Sequence, residues 1–493
     1  MLLLGIDVGT SSIKVAIVDA QTQQCITTIQ YPDLETGITS LQKGWAEQSP
    51  EMWWSNVQQA ILKAHGERKY DPKDIIAIGI AYQMHGLVCV DKNQQALRDS
   101  IIWCDSRAVD IGNKAFDVIG HEKSLQHLLN SPGNFTAAKL AWVKQNEPER
   151  YGLIDKIMLP GDFIAMKLTG QITTSVSSLS EGIFWDFKEQ ELSKDVFDYF
   201  GFDKGLIPEV KEVFTAHGVV QSSVAKSLSL KEGITVAYKA GDQPNNALSL
   251  NVLEPGEVAA TAGTSGVIYG VSDQLVYDQQ SRINSFAHVN FTEEQKRIGV
   301  LLCINGTGIL NSWIKNICGN KFTYQQMNEA AAAIAPGSND LQMLPFGNGA
   351  ERMLQNKLVQ SHIHNIDFNV HGPAHLFRAA QEGIAFAFRY GLDIMRENGM
   401  RPLIIRAGKA NMFLSDVFAH CFVNATNVPV ELHDCDGSVG AAKGAGIGVG
   451  FYKTAKEAFT NTAPLNIVVP TQAGLYNELY FEWKELLDKN INE

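Results

Sequence analysis

The 493-residue sequence lacks the features that mark several common classes of protein. No uncharged apolar run approaches the roughly 20 residues of a membrane-spanning helix, and the nearest one, VAATAGTSGVIYGV, is broken by glycines. The first residues, MLLLGIDVGT, carry no basic segment and their apolar run stops at Asp7, so we expect no signal peptide. The net charge is −12 and no basic block is present, which argues against nucleic acid as a partner.

Cysteines are few, and their spacing matches no disulfide framework. The seven cysteines, an odd number, are scattered along the chain without a Cys-x-x-Cys pair or metal-ligand spacing. We therefore expect buried thiols in a reducing, cytoplasmic compartment. Low-complexity tracts and long linkers are also missing, so the parts of the chain are expected to pack closely against one another.

What the sequence does contain is an alternation of helical and extended patterns. PEMWWSNVQQAILKAHG and LFRAAQEGIAFAFRYGLDIMREN have helical periodicity, whereas DIIAIGIAY and PLIIRAG are typical of buried strands. This alternation occurs in both halves and predicts an α/β fold. Because 493 residues exceed what one core usually holds, we expect two large domains.

One motif occurs twice, roughly half a chain apart. LLLGIDVGTSSIKVAIVDA and EVAATAGTSGVIYGVS each read as strand, tight turn, strand, with Gly9-Thr10-Ser11 and Gly263-Thr264-Ser265 in the turns. The repetition predicts two similarly built halves that face each other across a cleft. We place them at residues 1–245 and 246–493.

The first turn offers groups that suit a phosphate. Asp7 ends an apolar strand, where an unpaired charge is unfavourable, and hydrated Mg²⁺ is one group that would compensate it. The turn itself supplies backbone N–H groups and hydroxyls. A plain hairpin whose Asp accepts turn N–H groups is an equal alternative for this stretch alone. Together, the two turns would clamp one polyphosphate from both sides.

Asp242 raises a separate question, because it lies between the β-prone run GITVAYKA and the turn-like PNN. It is either a cap that accepts the first N–H groups of the helix that follows, or a catalytic base directed into the cleft. The stretch alone leaves both readings open.

Other polar residues at strand ends are candidates for ligand contact. Gln83, Met84 and His85 form a loop between two strands, where they would contact a polyol or simply bend the chain. Trp103 would stack on a sugar face. Asp105 would accept sugar hydroxyls or pair with Arg107 at the surface. Two glycine-rich stretches, RAGKANMF and DGSVGAAKGAG, suit either nucleotide approach or a simple helix start.

These motifs occur in the order found in one known family. GIDVGTSSIK, GIAYQMHG, WCDSR, FTAAKLAWVKQNEPE, GDQ, AGTSG and EGIAFAFR together resemble the FGGY carbohydrate kinases from about residue 3 to about residue 485. QMHG and GWAEQSPEMWW are most similar to the branch that phosphorylates D-xylulose. The resemblance implies two ribonuclease-H-like domains, as in actin and sugar kinases, with ATP and sugar in the interdomain cleft. A homodimer is the oligomeric state that it suggests.

The resemblance also implies roles for individual residues. Asp242 is implied to be the catalytic base, and Asp7 the acidic residue that holds Mg²⁺ through water. The sugar-facing positions are Gln83, Met84, His85, Trp103, Asp105, Asp242 and Gln243. The ATP-facing positions are Thr10, Ser11, Ser12, Lys14, Gly263, Thr264, Ser265, Gly308, Gly408 and Asn411.

The activity implied is direct, in-line transfer of the ATP γ-phosphoryl to D-xylulose. A kinase of the same family for ribulose, gluconate, fuculose or glycerol is the nearest alternative. A non-catalytic sugar sensor or an ATPase of the same fold is a more distant one. No nucleic acid or membrane is expected among its partners.

Overall fold

The computed structural model describes residues 1–492. Its strands are β1 (Leu2–Val8), β2 (Ile13–Asp19), β3 (Cys25–Tyr31), β4 (Glu47–Gln48), β5 (Ile75–Tyr82), β6 (Val88–Val90), β7 (Ser100–Ile101), β8 (Lys156–Met158), β9 (Thr173–Thr174), β10 (Trp185–Asp186), β11 (Glu191–Leu192), β12 (Glu209–Val210), β13 (Gly218–Val219), β14 (Thr235–Gly241), β15 (Glu257–Ala262), β16 (Gly266–Ser272), β17 (Asn284–Ala287), β18 (Ile298–Ile304), β19 (Gln342–Phe346), β20 (Gln360–His364), β21 (Ile404–Gly408), β22 (Val430–His433) and β23 (Asn466–Val468).

The α-helices are α1 (Pro50–Gly66), α2 (Val109–Ile119), α3 (His121–Leu128), α4 (Thr136–Asn146), α5 (Pro148–Tyr151), α6 (Pro160–Thr169), α7 (Val176–Glu181), α8 (Lys194–Phe200), α9 (Ser222–Ser227), α10 (Asp242–Ser249), α11 (Gly308–Ile317), α12 (Tyr324–Ala332), α13 (Pro373–Glu397), α14 (Asp416–Thr426), α15 (Gly437–Gly448) and α16 (Ala473–Asn492). Short 3₁₀ helices cover Pro72–Asp74, Lys204–Leu206, Ser338–Asp340, Arg352–Leu354, Asn411–Leu414 and Lys456–Phe459.

Two large sheets with the same strand plan form the centre of the fold. The first has the order β13-β14-β5-β1-β2-β3 and the second has the order β17-β18-β16-β15-β21-β22-β23. In the first, β1, β2 and β3 are antiparallel neighbours, and β5 and β14 run parallel to β1. In the second, β15, β16 and β18 are antiparallel neighbours, and β21 and β22 run parallel to β15. The predicted α/β fold with two similarly built halves is confirmed.

Each duplicated turn joins the first two strands of its sheet. β1 pairs with β2 across residues 9–12, and β15 pairs with β16 across residues 263–265. Both hairpins form because short glycine- and hydroxyl-containing turns separate runs rich in Val, Ile and Ala. The predicted strand-turn-strand pattern is therefore correct in both places.

Helices cover both faces of the first sheet. On one face, α1 and α6 enclose an apolar core with residues such as Trp53, Ile78 and Phe163. On the other face lies α15, which packs directly on β1, β5 and β14. Gly5 and Gly79 allow this close contact, because an added Cβ would lie only 1.8 Å from Ser438 O and 1.9 Å from Ala441 O, respectively.

The last part of the chain therefore crosses between the two halves. After β22 of the second sheet, α15 covers the first sheet, and the Tyr452 hydroxyl donates to Ala20 O at 2.7 Å. The chain then returns, because β23 pairs with β22. The division at residues 1–245 and 246–493 stays a prediction. By sequence α15 belongs to the second range, but it packs on the sheet of the first.

The segment between β5 and β14 links the halves a second time. Asn130 Nδ2 donates to Ser285 O at 2.6 Å, and the Ser177 hydroxyl donates to Ala287 O at 2.8 Å. Both acceptors lie on β17 of the second sheet. The two halves thus pack closely, as the shortage of linkers predicts.

Two further expectations concern membranes and thiols. Within residues 1–492, no helix combines the length and the apolar character needed to cross a bilayer. All seven cysteines are free, and two of them, Cys89 and Cys421, are buried while Cys25, Cys104 and Cys303 are exposed. The expectation of buried thiols is therefore only partly correct.

Candidate active site

The candidate residues follow the carboxyl ends of the parallel strands. In the first sheet these are the turn 9–12 after β1, the loop 83–86 after β5, and Asp242 after β14. In the second sheet they are the turn 263–265 after β15, residues 409–411 after β21, and residues 434–436 after β22. Ligands of α/β sheets bind outside the carboxyl ends of the strands, so both sheets present their binding edge with equivalent connections.

Contacts between the halves bring these two edges together. Asn245 Nδ2 donates to Gly437 O at 2.9 Å, and Cys435 Sγ lies 3.8 Å from Asn246 Oδ1. A Cβ on Gly437 would lie 2.6 Å from Asp7 Oδ2, so α15 begins directly against the end of β1. The candidate residues of β1, β14 and β22 therefore share one cleft.

Asp7 is held in this cleft among other charges. It pairs across the hairpin with Lys14, and Lys14 Nζ lies 3.6 Å from Asp436 Oδ2. Burial, together with the negative charge of Asp436, raises the pKa of Asp7 to about 6, while Lys14 opposes the increase. The positive charge of Lys14 thus does not fully compensate the two carboxylates, and a bound cation would supply the missing positive charge.

Asp242 is the first residue of α10. The residue in the N-cap position is Gly241, which has no side chain. The Asp242 carboxyl group accepts the Gln243 N–H of the first turn, so local capping and a role as base coexist, and PNN belongs to the helix rather than to a turn. Burial, followed by the charge of Asp7, raises the pKa of Asp242 to about 7. A carboxyl group with this pKa is suited to accept a proton near neutral pH.

The first turn is tied to two residues that the resemblance assigns to the sugar. The Thr10 hydroxyl donates to Gln83 Oε1 at 3.2 Å and accepts the Trp103 indole N–H at 3.0 Å. In the described part of the chain, the hydroxyls of Ser11 and Ser12 form no hydrogen bond. Those two hydroxyls remain available to a ligand.

The sugar-facing assignments separate into different groups. Gln83 is buried, and its Nε2 donates to Gln48 Oε1 at 3.1 Å. Because its Oε1 accepts from Thr10, Gln83 holds the first turn in place. Trp103 is about half exposed in the cleft. Asp105 is fully buried, and it accepts the Ala46 N–H at 2.5 Å and pairs with Arg107 at 2.7 Å. The structure favours the Asp–Arg pair, buried rather than exposed, and argues against a direct sugar contact of Asp105.

His85 is held in one tautomer. Its Nδ1 lies 3.2 Å from the main-chain O of Glu181, which can only accept, so Nδ1 carries the proton and Nε2 is a bare acceptor. Burial lowers the pKa of His85 to about 3, with Lys139 adding to the decrease, so the ring is neutral. Met84 packs beside it, with its Cγ 2.6 Å from the position of a Cβ on Gly241. The loop thus places the apolar Met84 beside Gly241, which precedes Asp242, and carries a bare acceptor on the next residue, His85.

A cavity of about 420 Å³ opens beside the second turn. Its walls include Gly263, Thr264, Gly308 and Asn411, four of the predicted ATP-facing residues. Gly308 begins α11, and its N–H donates to Gly263 O at 2.9 Å. A Cβ on Gly308 would lie 2.4 Å from that same oxygen, which explains why glycine occupies the position.

The remaining ATP-facing predictions do not line this cavity: Thr10, Ser11, Ser12 and Lys14 lie on the β1–β2 hairpin, and Ser265 and Gly408 belong to the second sheet. Ser265 is exposed in the second turn, and Gly408 ends β21, where an added Cβ would be 3.6 Å from Cys435 Cβ. Gln243 is partly exposed in the first turn of α10. No metal-binding group of three or more acidic, His or Cys residues exists within residues 1–492.

Several residues of the cleft escape the sequence analysis. Asp436 caps α15 by accepting the Ser438 N–H at 2.8 Å, and its charge acts on Asp7. Arg352 is partly buried and has no carboxylate partner in the described part of the chain. Glu181 is buried behind His85. Asp436, a carboxylate after a strand and before a glycine-rich helix, has a sequence pattern that would have revealed it, and Arg352 lies in GNGAERMLQN, a segment that keeps the Glu-Arg pair of the family that the sequence resembles.

Comparison with known proteins places this chain in a family. Residues 2–249 match the N-terminal domain of the FGGY family of carbohydrate kinases, and residues 258–448 match its C-terminal domain. A xylulose kinase of Bacillus subtilis (strain 168) is 26% identical, covering 98% of this chain and 97% of its own.

Two solved structures have a similar fold. The xylulose kinase from Rhodospirillum rubrum superposes with a TM-score of 0.89 at 22% identity over 100% of both chains. The gluconate kinase from Lactobacillus acidophilus gives the same TM-score, 0.89, at 21% identity over 99% of this chain and 98% of its own. At these identities the likeness concerns the fold.

Proposed function

Because the chain belongs to the FGGY family of carbohydrate kinases, we propose that it transfers the ATP γ-phosphoryl group to the terminal hydroxyl of D-xylulose. The observation that carries the proposal is the carboxyl group of Asp242. It follows β14 at the junction of the two halves, between two hydroxyl-bearing turns, and its pKa is raised to about 7. The choice of D-xylulose rests on the names of relatives such as the B. subtilis enzyme and on the QMHG loop.

Asp242 is the proposed base of the reaction. Phosphoryl transfer depends chiefly on alignment and charge stabilisation, so the protein need only orient the acceptor and accept its proton. Asp242 accepts the proton of the terminal hydroxyl as that oxygen attacks phosphorus, and the bond from phosphorus to the leaving oxygen of ADP breaks. The proton then leaves Asp242 to solvent when the products dissociate.

The acceptor is held by the loop after β5. His85 Nε2 accepts a hydrogen bond from a sugar hydroxyl, because Nδ1 already donates to Glu181 O. Met84 covers the apolar face of the sugar chain, and Trp103 borders the pocket from its half-exposed position. Gln83 and Asp105 act indirectly, by supporting the first turn and the 103–107 loop.

The nucleotide occupies the cavity beside the second turn. Gly308 and the N-terminus of α11 border it, and Asn411 also lines it. Thr264 and Ser265 supply exposed hydroxyls on one side, while Ser11 and Ser12 supply them on the other. Lys14 adds a positive charge near the first turn, and partly buried Arg352 adds another.

Mg²⁺ fits the carboxylates at the end of β1. Burial raises the pKa of Asp7 most, and repulsion from the Asp436 carboxylate adds to the increase. Mg²⁺ is usually bound through one or two carboxylates, with water and substrate phosphate completing its shell, so a cluster of three acidic ligands is not required. Asp7 and Asp436 would hold the ion, which would neutralise charge on the transferring phosphoryl group.

An acceptor panel tests the proposal. ADP release from the full-length protein is measured with D-xylulose, D-ribulose, gluconate, L-fuculose and glycerol. We expect kcat/KM to be highest for D-xylulose. A higher value for another acceptor would change the substrate, and ADP release that ignores every acceptor would contradict the kinase proposal.

Asp242→Asn tests the base. It should lower kcat by about 10²–10⁴-fold while sugar binding, measured by calorimetry, is retained. Asp198→Asn, at an exposed side chain of α8, is the matched control and should leave kcat unchanged. Near-normal turnover of Asp242→Asn would show that Asp242 is not the base.

A further inference from the structure

Glu181 is a buried carboxyl group that the proposed mechanism does not use. It is the last residue of α7 and is only 1% exposed. Within residues 1–492 no Lys, Arg or His nitrogen lies within 4 Å of its carboxyl oxygens as an ion-pair partner, and its Oε2 has no hydrogen-bond partner. Burying such an unpaired carboxyl group is unfavourable, so its presence indicates a role in holding another part of the structure.

The contacts of Glu181 are directed at the loop that carries His85. Glu181 Oε1 accepts the His85 main-chain N–H at 3.0 Å. The main-chain O of Glu181 accepts from His85 Nδ1 at 3.2 Å. His85 has a φ of 62°, in the left-handed region that residues other than glycine seldom adopt. Glu181 therefore fixes both the backbone and the ring of a residue in an unfavourable conformation.

The other carboxyl oxygen touches the chain just before the base. A Cβ on Gly241 would lie 2.7 Å from Glu181 Oε2, so only glycine leaves room for this oxygen. Asp242 is the next residue. Glu181 thus lies behind the two groups, His85 and Asp242, that face the acceptor.

The charges around Glu181 favour its uncharged form. Asp242 from α10 and Asp162 from α6 raise its pKa in addition to burial, whereas the His85 N–H and Lys139 from α4 lower it. The balance leaves the pKa of Glu181 well above its ordinary value. An uncharged acid can still accept the His85 N–H through Oε1.

On the basis of the proposed function, we propose that Glu181 is a positioning residue of the acceptor pocket. Its Oε1 and its main-chain O hold His85 in the left-handed conformation that presents Nε2 to the acceptor. The part of Glu181 that matters is its hydrogen-bond acceptor, and its ability to ionise is not required.

Two substitutions separate the acceptor from the charge. Glu181→Gln keeps a carbonyl oxygen for the His85 N–H but cannot ionise, whereas Glu181→Leu fills the space without an acceptor. We expect Glu181→Leu to raise the KM for the sugar roughly 10- to 100-fold, with the KM for ATP unchanged. Glu181→Gln should remain near wild type in both. A defect in ATP KM as large as that in sugar KM would indicate a general structural role and overturn the proposal.

The pH profile provides a second readout of Glu181→Gln. Because the proposal needs only the hydrogen-bond acceptor of Glu181, the acid limb of kcat/KM should stay in place in this variant. A shift of that limb to lower pH would show that Glu181 is ionised and acts on Asp242 by its charge, and the proposal would be wrong.

Hydrogen exchange of the His85 amide tests the proposal without any activity. Measured on peptides that cover residues 82–90, exchange at His85 should be about tenfold or more faster in Glu181→Leu and unchanged in Glu181→Gln. If the wild type phosphorylates no sugar, the proposed function fails while this result still decides on the positioning of His85. Unchanged exchange in a folded Glu181→Leu, or in Glu181→Ala should the Leu variant not fold, would contradict the role of Glu181.

Discussion

At the scale of single residues, two carboxyl groups dominate the cleft. Asp7 lies near the end of β1 and Asp242 directly follows β14. Burial raises the pKa of each group, with the Asp436 charge adding to it at Asp7 and the Asp7 charge adding to it at Asp242. The raised pKa values suit a base that must accept a proton near pH 7, and they also oppose folding when both groups are ionised. Activity and stability should therefore depend on pH in opposite ways.

The rate should follow the ionisation of Asp242. Only the carboxylate form accepts a proton, so kcat/KM should fall below about pH 7, the pKa of Asp242. In Asp7→Asn, the charge that raises this pKa is removed, so the acid limb of the residual activity should move to lower pH. A pH–rate profile of the wild type and of Asp7→Asn measures the two acid limbs. An unchanged limb in the variant would show that the charge of Asp7 does not raise the pKa of Asp242.

Stability should follow the same group with the opposite sign. An unfolded Asp ionises near pH 3.9 and the folded Asp242 near pH 7, so stability is fully present below about pH 4 and is lost as pH rises to about 7. Asp242→Asn removes this loss and should increase the free energy of unfolding by about 1–3 kcal/mol at pH 8, with little effect at pH 4. Denaturant unfolding at both pH values measures the difference, and equal effects at both would contradict it.

The position of a functional residue could be predicted where the strand pattern alone determines it. Asp7 lies near the end of a strand, and Asp242 and the hydroxyls of both turns follow strands, so their location could be inferred from the strand pattern. The contacts of Asp105 could not, because its partner Ala46 lies 59 residues away and is brought to it by folding. Glu181 gave no signal either, since it lies at the end of a short serine-rich helix and meets His85 only in three dimensions.

At the scale of secondary-structure elements, the contact of α15 with the first sheet depends on small residues. Gly5 and Gly79 lie on neighbouring strands, and the opposing helix contributes Ala441, Ala442 and Ala445. The main chains can approach closely only because no side chain stands between them. DGSVGAAKGAG therefore encodes a packing surface as well as a helix start beside the cleft.

Gly79→Ala should disrupt this contact. The new Cβ would meet Ala441 O at 1.9 Å, a backbone atom that cannot move without shifting α15. We expect a loss of about 3 kcal/mol or more in the free energy of unfolding, measured in denaturant. Gly66→Ala is the matched control, because nothing lies within 4 Å of its added Cβ, and it should change stability by less than about 0.5 kcal/mol. Equal stability of the two variants would contradict the packing argument.

The sequence analysis located most elements but misread the start of α10. PNN resembles a turn, yet Pro244 is the third residue of a helix that begins at Asp242. Proline is tolerated in the first turn, where N–H groups have no helical partner, so local propensity could not decide between the two. The consequence is functional, because the base lies at the N-terminus of a helix rather than in a loop.

At the scale of the whole molecule, the two sheets share one strand plan, but the first sheet is covered by a helix that comes from the second half of the chain. The twofold repetition of strand order was visible in the sequence as the paired turns. The packing of α15 on the first sheet could not be predicted from the sequence, because nothing in its glycine- and alanine-rich pattern identifies the surface that it covers. That surface includes Leu3, Ala77 and Tyr238.

A fragment containing residues 1–249 should therefore fail to fold by itself. Without α15, the apolar face of β1, β5 and β14 is exposed, and we expect aggregation or strong binding of a hydrophobic dye. Fusing residues 434–462 through a flexible linker should restore a soluble, cooperatively unfolding fragment. The comparison by gel filtration and thermal melting tests this, and a stable, monomeric 1–249 fragment would show that α15 is dispensable there.

The crossing of α15 also sets the order in which the protein is completed during synthesis. Nearly 200 residues separate the end of α10, at Ser249, from the end of α15, at Gly448. At the roughly 5–20 residues per second of translation, the first sheet waits on the order of 10–40 s, without its covering helix, for the ribosome to deliver it. The amino-terminal half is thus translated first but finished among the last, and its apolar face stays uncovered for that interval.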